Sequence, residues 1–343
     1  MLTEREVLSL CNVSYQEANK VLNFNQQNDT KKNMFDGIVG SNKLMKDLQW
    51  KIELAAENNI TVLITGESGT GKELVARSIH KNSENCANPF IPINMGVISR
   101  DIASNEFFGH EKGSFTGATN FKDGVFDAAK GGTLFLDEIS CLNLNTQSAL
   151  LRILENKEFR RVGGKKTIKT DARIIAATNV NLRDAVNQGT FRKDLYYRLE
   201  VFSIAVPPLR NRWDDIPLLM DHFINLFNKE MGLNIQKVTS DALECLIRYE
   251  WPGNVRELKN VIQQAMLLSN NKVITKDHLS QNVISENVLG WNQNLPMGLS
   301  LKEVEKRYIA KTLKWVKGNK VKAANALEIS RRALYNKIAF HNL

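Results

Sequence analysis

Two short segments carry residue types suited to nucleotide chemistry. The first, GESGTGKE at Gly66–Glu73, has glycines whose backbone N–H groups can turn toward a phosphate chain, and Lys72, which can neutralise the phosphates. The second is the acidic pair Asp137 and Glu138, which ends the apolar run GGTLFLD. One carboxylate can hold Mg²⁺ and its waters, and the other can orient and deprotonate an attacking water. Together the two segments predict an ATPase with ATP and Mg²⁺ as cofactors.

The first segment departs from the general phosphate-loop pattern at its last position. That pattern ends in Ser or Thr, whose hydroxyl ligates Mg²⁺, whereas Glu73 stands here. Thr70 is a candidate substitute hydroxyl. We expect the whole segment to line the nucleotide: Gly66, Glu67, Ser68, Gly69, Thr70, Gly71, Lys72 and Glu73.

Several other polar residues admit two interpretations. Asn179 ends the run IIAATN and can hold the γ-phosphate or the attacking water, or it can simply cap a strand; Asn94 in FIPINM is equally open to a turn role. Arg192, Arg198 and Arg256 can stabilise charge on a transferring phosphoryl group, from this subunit or a neighbour, or can form surface ion pairs.

The elements that must position these residues follow from hydrophobic patterning. Three short apolar runs rich in β-branched residues, Ile60–Gly66, Gly132–Ile139 and Ala172–Asn179, predict buried parallel strands. Helical periods separate them, which favours a three-layer α/β P-loop domain. After residue 206 only amphipathic helical periods follow, and they indicate a smaller helical domain without strands.

Composition shifts divide the chain into five segments. We expect, in order, an N-terminal helix and linker without a complete sensor domain, the α/β ATPase subdomain, a helical lid subdomain, a linker and a small all-α DNA-binding domain. Their predicted bounds are 1–33, 34–206, 207–284, 285–298 and 299–343.

Charge and cysteine content narrow the function classes. The chain has a net charge of +9, and the segment from Leu299 onward, with eleven basic and three acidic residues, carries +8 of it. That excess predicts a polyanion partner, with a merely basic helix as the alternative. The four cysteines form no closely spaced pair, the first ten residues lack a secretory pattern, and no apolar run approaches the roughly 20 residues that span a bilayer. We therefore expect a cytoplasmic protein with no membrane partner.

The order and wording of the motifs resemble a known family. GESGTGKE, FFGHEKGSFTGA, GGTLFLDEI, KEFRRVGG, ARIIAATN, FRKDLYYRL, PPLRNR and WPGNVREL follow one another from about Phe35 to Leu279. This series resembles the sigma-54-dependent transcriptional activators, the bacterial enhancer-binding proteins of the AAA+ class. The resemblance implies an AAA+ ATPase domain with a helical lid.

The resemblance also implies a role for each matching residue. Gly66–Glu73 looks like Walker A, whose terminal glutamate is a family feature, and Asp137 and Glu138 look like Walker B. The other implied roles are, in chain order, the residue that restrains the catalytic glutamate, sensor I, the arginines acting across a subunit boundary, and sensor II. Asn94 matches the residue that restrains the glutamate, and Thr178 and Asn179 match sensor I. Arg192 and Arg198 match the arginines that act across the boundary, and Arg256 matches sensor II. Acting across the boundary implies a ring, expected to be a hexamer.

One stretch needs the resemblance for any interpretation at all. GSFTGA matches the family's sigma-54-contacting loop, usually written GAFTGA, and its residues are Gly113, Ser114, Phe115, Thr116, Gly117 and Ala118. The glycines allow this loop to rise and fold with nucleotide state, while Phe115 and Thr116 supply contacts. Ser114 stands where the family has Ala, Met95 where it has Cys, and Phe107 where it has Leu; none touches the phosphate-handling residues.

The basic tail resembles the Fis-type helix-turn-helix that these activators carry. We expect Ala323, Ala324 and Ala326 to lie where two helices cross closely. Ser330 should cap a recognition helix whose outward residues meet double-stranded DNA. The predicted DNA-binding residues are Ser330, Arg331, Arg332, Tyr335, Asn336 and Lys337. The preceding helix has an apolar stripe, Tyr308, Ile309 and Leu313 among it, that suits dimerisation and ordinary packing equally.

The leading hypothesis is an activator that binds upstream DNA and uses ATP hydrolysis in an oligomeric ring to open sigma-54 RNA polymerase promoter complexes. The alternative is a DNA-binding regulator that uses nucleotide for assembly and does not act on sigma-54. Intact Phe115, Thr116 and Glu138 favour the first.

Overall fold

The structure, a computed structural model, describes residues 35, 37–98, 103–114, 120–269, 273–284, 300–315 and 320–341. The chain divides into two compact units, Met1–Asn287 and Val288–Leu343. The strands are β1 (Val62–Thr65), β2 (Phe90–Asn94), β3 (Thr133–Asp137), β4 (Glu158–Arg160), β5 (Thr167–Lys169), β6 (Arg173–Thr178), β7 (Phe202–Ala205), β8 (Lys237–Val238) and β9 (Val273–Ile274).

The helices of the larger unit are α1 (Lys43–Glu57), α2 (Lys72–Lys81), α3 (Ala103–Phe108), α4 (Val125–Ala128), α5 (Leu144–Asn156), α6 (Leu182–Asn187), α7 (Lys193–Leu199), α8 (Ile216–Met231), α9 (Ser240–Arg248) and α10 (Asn254–Leu268). Those of the smaller unit are α11 (Leu301–Trp315), α12 (Lys320–Ala326) and α13 (Arg331–His341). No helix among the described residues combines the length and apolar character that crossing a bilayer requires.

A five-stranded parallel sheet lies at the centre of the larger unit, in the order β2-β3-β6-β1-β7. The three strands predicted from apolar runs are confirmed as β1, β3 and β6. The two edge strands, β2 and β7, were not predicted, because both are only partly buried and Pro92 interrupts the apolar pattern of β2. Edge strands lack the continuous apolar run that marks a strand covered on both faces.

Helices cover both faces of the sheet, which confirms the α/β three-layer prediction. Along β6, Ile175 and Ala177 pack into a core shared with α1 and α2, while Ile174 and Ala176 pack into a second core shared with α5 and α7. This alternation follows from the period of two along a strand.

A separate core joins the lid helices α8, α9 and α10 around Trp251, which is fully buried and donates its indole N–H to the Leu246 carbonyl at 2.8 Å. The expectation of helices alone is wrong here, because β8 and β9 form a short parallel pair. Two-residue strands are too short to leave an alternating pattern in the sequence.

The start of α1 is tied to the start of the lid by one carboxylate. Asp215 Oδ1 accepts backbone N–H groups from Ser41 at 2.7 Å and Asn42 at 3.1 Å. Burial raises the pKa of Asp215 above its ordinary value, against the effect of these donors. The lid is therefore anchored to the segment that precedes α1.

In the smaller unit, α11, α12 and α13 enclose a core of Ile309, Ala323, Ala324 and Leu334. The close-crossing prediction is confirmed for Ala323 and Ala324, whereas Ala326 is exposed. Ala326 is the last residue of α12 and lies beyond the crossing. Ile309 and Leu313 pack within this unit, so part of the α11 stripe has an intramolecular role.

Candidate nucleotide site and its partner surfaces

The segment Gly66–Gly71 forms a tight loop between β1 and α2. Gly71 precedes α2 with φ 100°, in the left-handed region that favours glycine, and Gly69 has φ 77°. A side chain at Gly69 would also collide with the lid, since a Cβ there would lie 2.3 Å from the Gly253 carbonyl oxygen. The Gly66 N–H donates to the Thr178 carbonyl at 3.2 Å, which joins the loop to the end of β6.

Lys72 folds back over this loop. Its ammonium donates to the carbonyl oxygens of Gly66 at 2.9 Å and Glu67 at 3.1 Å. Burial lowers the pKa of Lys72; the charge of Asp137 acts to raise it, that of Arg256 to lower it, and that of Glu138 to raise it. These four charged groups, assigned to the site from sequence, therefore lie within electrostatic reach of one another.

The two residues offered for the missing hydroxyl position have other contacts. The Thr70 hydroxyl is buried and donates to the Glu67 carbonyl oxygen at 2.8 Å, so it closes the loop on itself. Glu73 pairs with Arg77 one turn along α2 at 2.7 Å, with both side chains half exposed. The side chains of Thr70 and Glu73 thus stabilise the loop and the helix start.

The acidic pair lies at the end of β3. Asp137 Oδ1 accepts the Glu138 N–H at 3.0 Å, and Glu138 has φ 56°, a left-handed conformation that re-aims its side chain. The Cys141 thiol contacts Glu138 Oε2 at 3.9 Å. A non-glycine residue in this conformation stores local strain of roughly 1–3 kcal/mol.

The Glu138 carboxylate points toward the turn after β2. Asn94, paired in register with Asp137, accepts the Gly96 N–H on Oδ1 at 2.8 Å and so fixes that turn. A Cβ on Gly96 would lie 2.1 Å from Glu138 Oε2, so the missing side chain makes room for the carboxylate. Because β2 and β1 lie on opposite sides of β3, this carboxylate is turned away from the phosphate loop.

Thr178 and Asn179 lie at the end of β6, between β1 and β3. Thr178 is fully buried, and its hydroxyl accepts the Val180 N–H at 3.0 Å. Asn179 is exposed beside it. The buried threonine fixes the strand end, and the exposed asparagine is the member of the pair open to a ligand.

The lid contacts three consecutive residues of the loop. The Arg256 guanidinium donates to the Ser68 hydroxyl at 3.1 Å, and its backbone N–H to the Gly69 carbonyl at 3.3 Å. The Glu67 carboxylate accepts hydrogen bonds from the two terminal nitrogens of Arg210, at 2.7 and 2.5 Å, and from the Asn254 amide at 3.2 Å.

Sequence reasoning missed the roles of Arg210 and Asn254, although both lie in quoted motifs, PPLRNR and WPGNVREL. The sequence signal for these contacts was the presence of Arg210 in the first motif and of Asn254 two residues before Arg256 in the second.

Arg192 and Arg198 lie against α5 and away from the phosphate loop. Arg192 donates to Asp194 at 2.6 Å and to the Ser148 hydroxyl at 3.0 Å, and the pair with Asp194 raises its pKa. Arg198 donates to the Leu154 carbonyl at 3.2 Å. Within the described part of the chain, none of these partners belongs to the phosphate loop.

The base of the GSFTGA stretch is ordered by backbone pairing. The backbone N–H of His110 donates to the Lys122 carbonyl at 3.0 Å, and the N–H of Lys122 donates to the His110 carbonyl at 3.1 Å. The Glu111 N–H donates to the Val162 carbonyl at 3.1 Å. Gly113 and Ser114 continue from this base, and Ser114 approaches Gly163 so closely that a Cβ there would lie 2.5 Å from the serine Cβ. Phe115, Thr116, Gly117 and Ala118 lie outside the described residues.

A charged cluster, which we call the loop clamp, holds the same base against the β4–β5 hairpin. Arg161 donates to Asp123 at 2.7 Å and to Asp127 at 3.0 Å, and its guanidinium lies 4.6 Å from the Phe121 ring centroid. The Arg161 and Asp127 side chains are only 14% and 23% exposed, so their pair is shielded from solvent more than a surface ion pair is, whereas Asp123 is 63% exposed.

In the smaller unit the predicted cap is confirmed: the Ser330 hydroxyl accepts the Ala333 N–H at 3.1 Å. Arg331, Arg332, Tyr335 and Asn336 are exposed on α13, with the Lys320 ammonium 4.8 Å from the Tyr335 ring centroid. Lys337 instead faces α11 and forms an ion pair with Glu305, which also contacts the buried His341 at 3.0 Å. These two contacts lower the pKa of Glu305.

Three families match most of the described chain. Residues 38–205 match the Sigma-54 interaction domain, residues 210–290 the AAA+ ATPase lid domain, and residues 300–339 the Bacterial regulatory protein, Fis family.

Individual relatives agree with these matches. The chain is 46% identical over 308 residues to the nitrogen fixation protein VnfA of Azotobacter vinelandii, covering 89% of this chain and 59% of that protein. It is 43% identical over 307 residues to the regulatory protein AtoC of Escherichia coli strain K12, covering 88% and 67%. The crystal structure of NtrX from Brucella abortus in complex with ATP is similar with a TM-score of 0.67 at 32% identity, over 96% of this chain and 75% of that one.

Replacing Lys72 by Ala should weaken ATP binding. Losing a charge-assisted contact of an ammonium to phosphate costs about 2–4 kcal/mol, or roughly 30- to 1000-fold in Kd. Calorimetric titration would measure the change, with Lys81→Ala at the far end of α2 as the matched control. An unchanged Kd for Lys72→Ala would contradict the assignment of this loop.

Proposed function

The chain belongs to the sigma-54-dependent transcriptional activators, and on that premise we propose that it hydrolyses ATP in a ring of subunits to open sigma-54 RNA polymerase promoter complexes. The chain spans less than two thirds of the length of the relative VnfA, so the activity is proposed for the three matched domains.

The proposed chemistry uses the groups that meet at the carboxyl edge of the sheet. Lys72 and the backbone N–H groups of its loop bind the phosphates. Asp137 uses only Oδ1 in the hydrogen bonds of the described residues, and a carboxylate at this position fits Mg²⁺, which takes one or two protein carboxylates alongside phosphate oxygens and water. The ion would neutralise charge on the phosphates. Glu138 deprotonates the attacking water once its carboxylate leaves Gly96, and Asn179 orients that water.

Asn94 is the proposed restraint on Glu138. It fixes the turn at Gly96 that receives the carboxylate, so a shift of β2 or of this turn alters the position of the general base. Thr178 fixes the end of β6, the strand next to β3, through the hydrogen bond from the Val180 N–H to its hydroxyl.

Arg192 and Arg198 are proposed to complete the site of an adjacent subunit. Their contacts lie on the α5 face rather than beside their own phosphate loop, which supports action across a boundary. Each guanidinium would stabilise charge on the transferring phosphoryl group. We therefore propose that the chain self-associates, as a dimer and as a hexameric ring.

The observation that carries the proposal is the path of the chain. Between the Asn94 strand and the Glu138 strand the chain makes the GSFTGA loop, and between the Glu138 strand and the Thr178 strand it makes the β4–β5 hairpin. The loop clamp joins the two excursions. A change at the γ-phosphate is therefore transmitted to the loop from both sides, and Phe115 and Thr116 would deliver it to sigma-54.

The smaller unit is proposed to hold upstream double-stranded DNA. Arg331, Arg332, Tyr335 and Asn336 form an exposed face on the capped helix α13, and phosphate contact is the default role of exposed arginines. Lys337 pairs with Glu305 on α11, so its first role is to stabilise the smaller unit rather than to contact DNA.

Thr116→Ala tests the proposed function. We expect wild type to open sigma-54 promoter complexes with ATP, whereas the variant should hydrolyse ATP at a similar rate and open few or none, since it lacks the loop contact and retains the site. Promoter opening is measured by permanganate footprinting and hydrolysis by phosphate release. A wild type that hydrolyses ATP and binds DNA but never acts on sigma-54 would favour the nucleotide-regulated DNA-binding alternative.

The DNA face yields a separate prediction. Arg332→Ala should reduce the salt dependence of DNA affinity by about one unit in log–log slope, because one phosphate contact is lost. Lys337→Ala should instead lower the melting temperature of the protein by breaking the pair with Glu305. Fluorescence anisotropy over a salt series measures the slope, and thermal unfolding measures the melting temperature. An unaltered slope for Arg332→Ala would refute the assigned face.

A further inference from the structure

The strongest connection between the phosphate loop and the lid does not involve the phosphate-binding lysine. Glu67 is the second residue of the loop, and its carboxylate is held by both guanidinium nitrogens of Arg210 at 2.7 and 2.5 Å. Two parallel hydrogen bonds fix direction as well as distance, which a single contact to lysine would not do. Arg210 itself lies on the connection that leads from β7 into the lid.

Asn254 extends this contact into the lid. Its amide donates to Glu67 Oε2 at 3.2 Å and to the Ser68 carbonyl at 3.0 Å, while its side-chain oxygen accepts the Leu209 N–H at 2.8 Å. The residue is fully buried and has φ 52°, so its backbone is held in an uncommon conformation. Every hydrogen-bonding group of this amide that is described here is directed at the loop or at the lid connection.

The Glu67 carboxylate is suited to a permanent contact. Hydrogen bonding from Arg210 is the largest influence on it and lowers its pKa to about 2. The contribution of this carboxylate to the stability of the folded state is therefore complete above the ordinary glutamate pKa. It is lost only as the pH falls from that value toward 2. At neutral pH the contact does not titrate.

Arg256 follows Asn254 by two residues in the first turn of α10. Its guanidinium donates to the Ser68 hydroxyl at 3.1 Å, and its positive charge acts to lower the pKa of Lys72. The first turn of α10 is thus positioned on the loop by Asn254 and by the close approach of Gly253 to Gly69.

We propose that Glu67, Arg210 and Asn254 form a latch that positions Arg256 at the phosphate-binding end of the loop and thereby sets the preference of the site for ATP over ADP. The inference rests on the proposed function for the identity of the nucleotide. Arg210 and Asn254 act through Arg256 and are positioning residues. Because only ATP carries a γ-phosphate, a displaced Arg256 weakens ATP binding more than ADP binding.

The test compares the Kd of ADP with that of the non-hydrolysable analogue adenylyl imidodiphosphate on the full chain, by calorimetry. We expect Arg256→Gln to lower the preference for the triphosphate about 10-fold, the equivalent of one charge-assisted contact. Arg210→Gln should lower it by about 3- to 10-fold, and the double variant should lower it no further than Arg256→Gln alone, since both act through one guanidinium.

Two further variants keep the comparison decisive. Arg210→Lys retains the charge but not the two-point geometry and should give an intermediate preference; it decides the question if thermal unfolding shows that Arg210→Gln does not fold. Arg248→Gln is the matched control, because Arg248 also pairs with a lid carboxylate, Glu244, at similar exposure but away from the loop. Its preference should equal that of wild type.

A wild-type preference in Arg210→Gln or Arg256→Gln, or additive losses in the double variant, would overturn the proposal. The ratio is measured without polymerase or DNA. A wild type that binds both nucleotides yet opens no promoter would therefore count against the proposed function while the latch result still stands.

Discussion

The carboxyl ends of four neighbouring parallel strands meet at one edge of the sheet, and the rest of the molecule depends on that constraint. The order β2-β3-β6-β1 brings Asn94, the pair Asp137 and Glu138, Thr178 and the phosphate loop side by side. In-register pairing of Asn94 with Asp137 and of Thr178 with Thr65 fixes the spacing of these groups through the backbone. The site is thus assembled by the sheet, and its side chains need little support from one another.

The same constraint separates the residues proposed for hydrolysis, at the strand ends, from the loop proposed to contact sigma-54. Strand ends are fixed by their ladders, so the only parts of this region free to extend outward are the connections between strands. Two of those connections, the GSFTGA loop and the β4–β5 hairpin, are joined at their bases by backbone bridges and by the loop clamp around Arg161. The third direction, toward the lid, is occupied by Arg210, Asn254 and Arg256. The hairpin leads into β6, which lies directly beside β1, whereas the GSFTGA loop joins β2 and β3.

Sequence predicted those features whose causes are local. Continuous apolar runs revealed β1, β3 and β6, and a serine before a helical period revealed the cap at Ser330. Features set by tertiary contact escaped it. The pairing of the Glu67 carboxylate with Arg210, 143 residues away, is one such contact. The ion pair of Lys337 with Glu305 on α11 is another. The resting position of Glu138 depends on an absent side chain at Gly96, which no periodicity reports.

The coupling of ATP hydrolysis to the GSFTGA loop through the loop clamp would be measured first as the number of ATP molecules hydrolysed per promoter opened in Arg161→Gln. Arg160→Gln is the control, because Arg160 neighbours Arg161 and bonds only within the hairpin among the contacts described, to Thr167 at 3.2 Å. We expect Arg161→Gln to hydrolyse ATP at close to the wild-type rate while the number of ATP molecules per opening rises several-fold, with Arg160→Gln unchanged. A wild-type number in Arg161→Gln would show that the loop clamp does not couple hydrolysis to the loop.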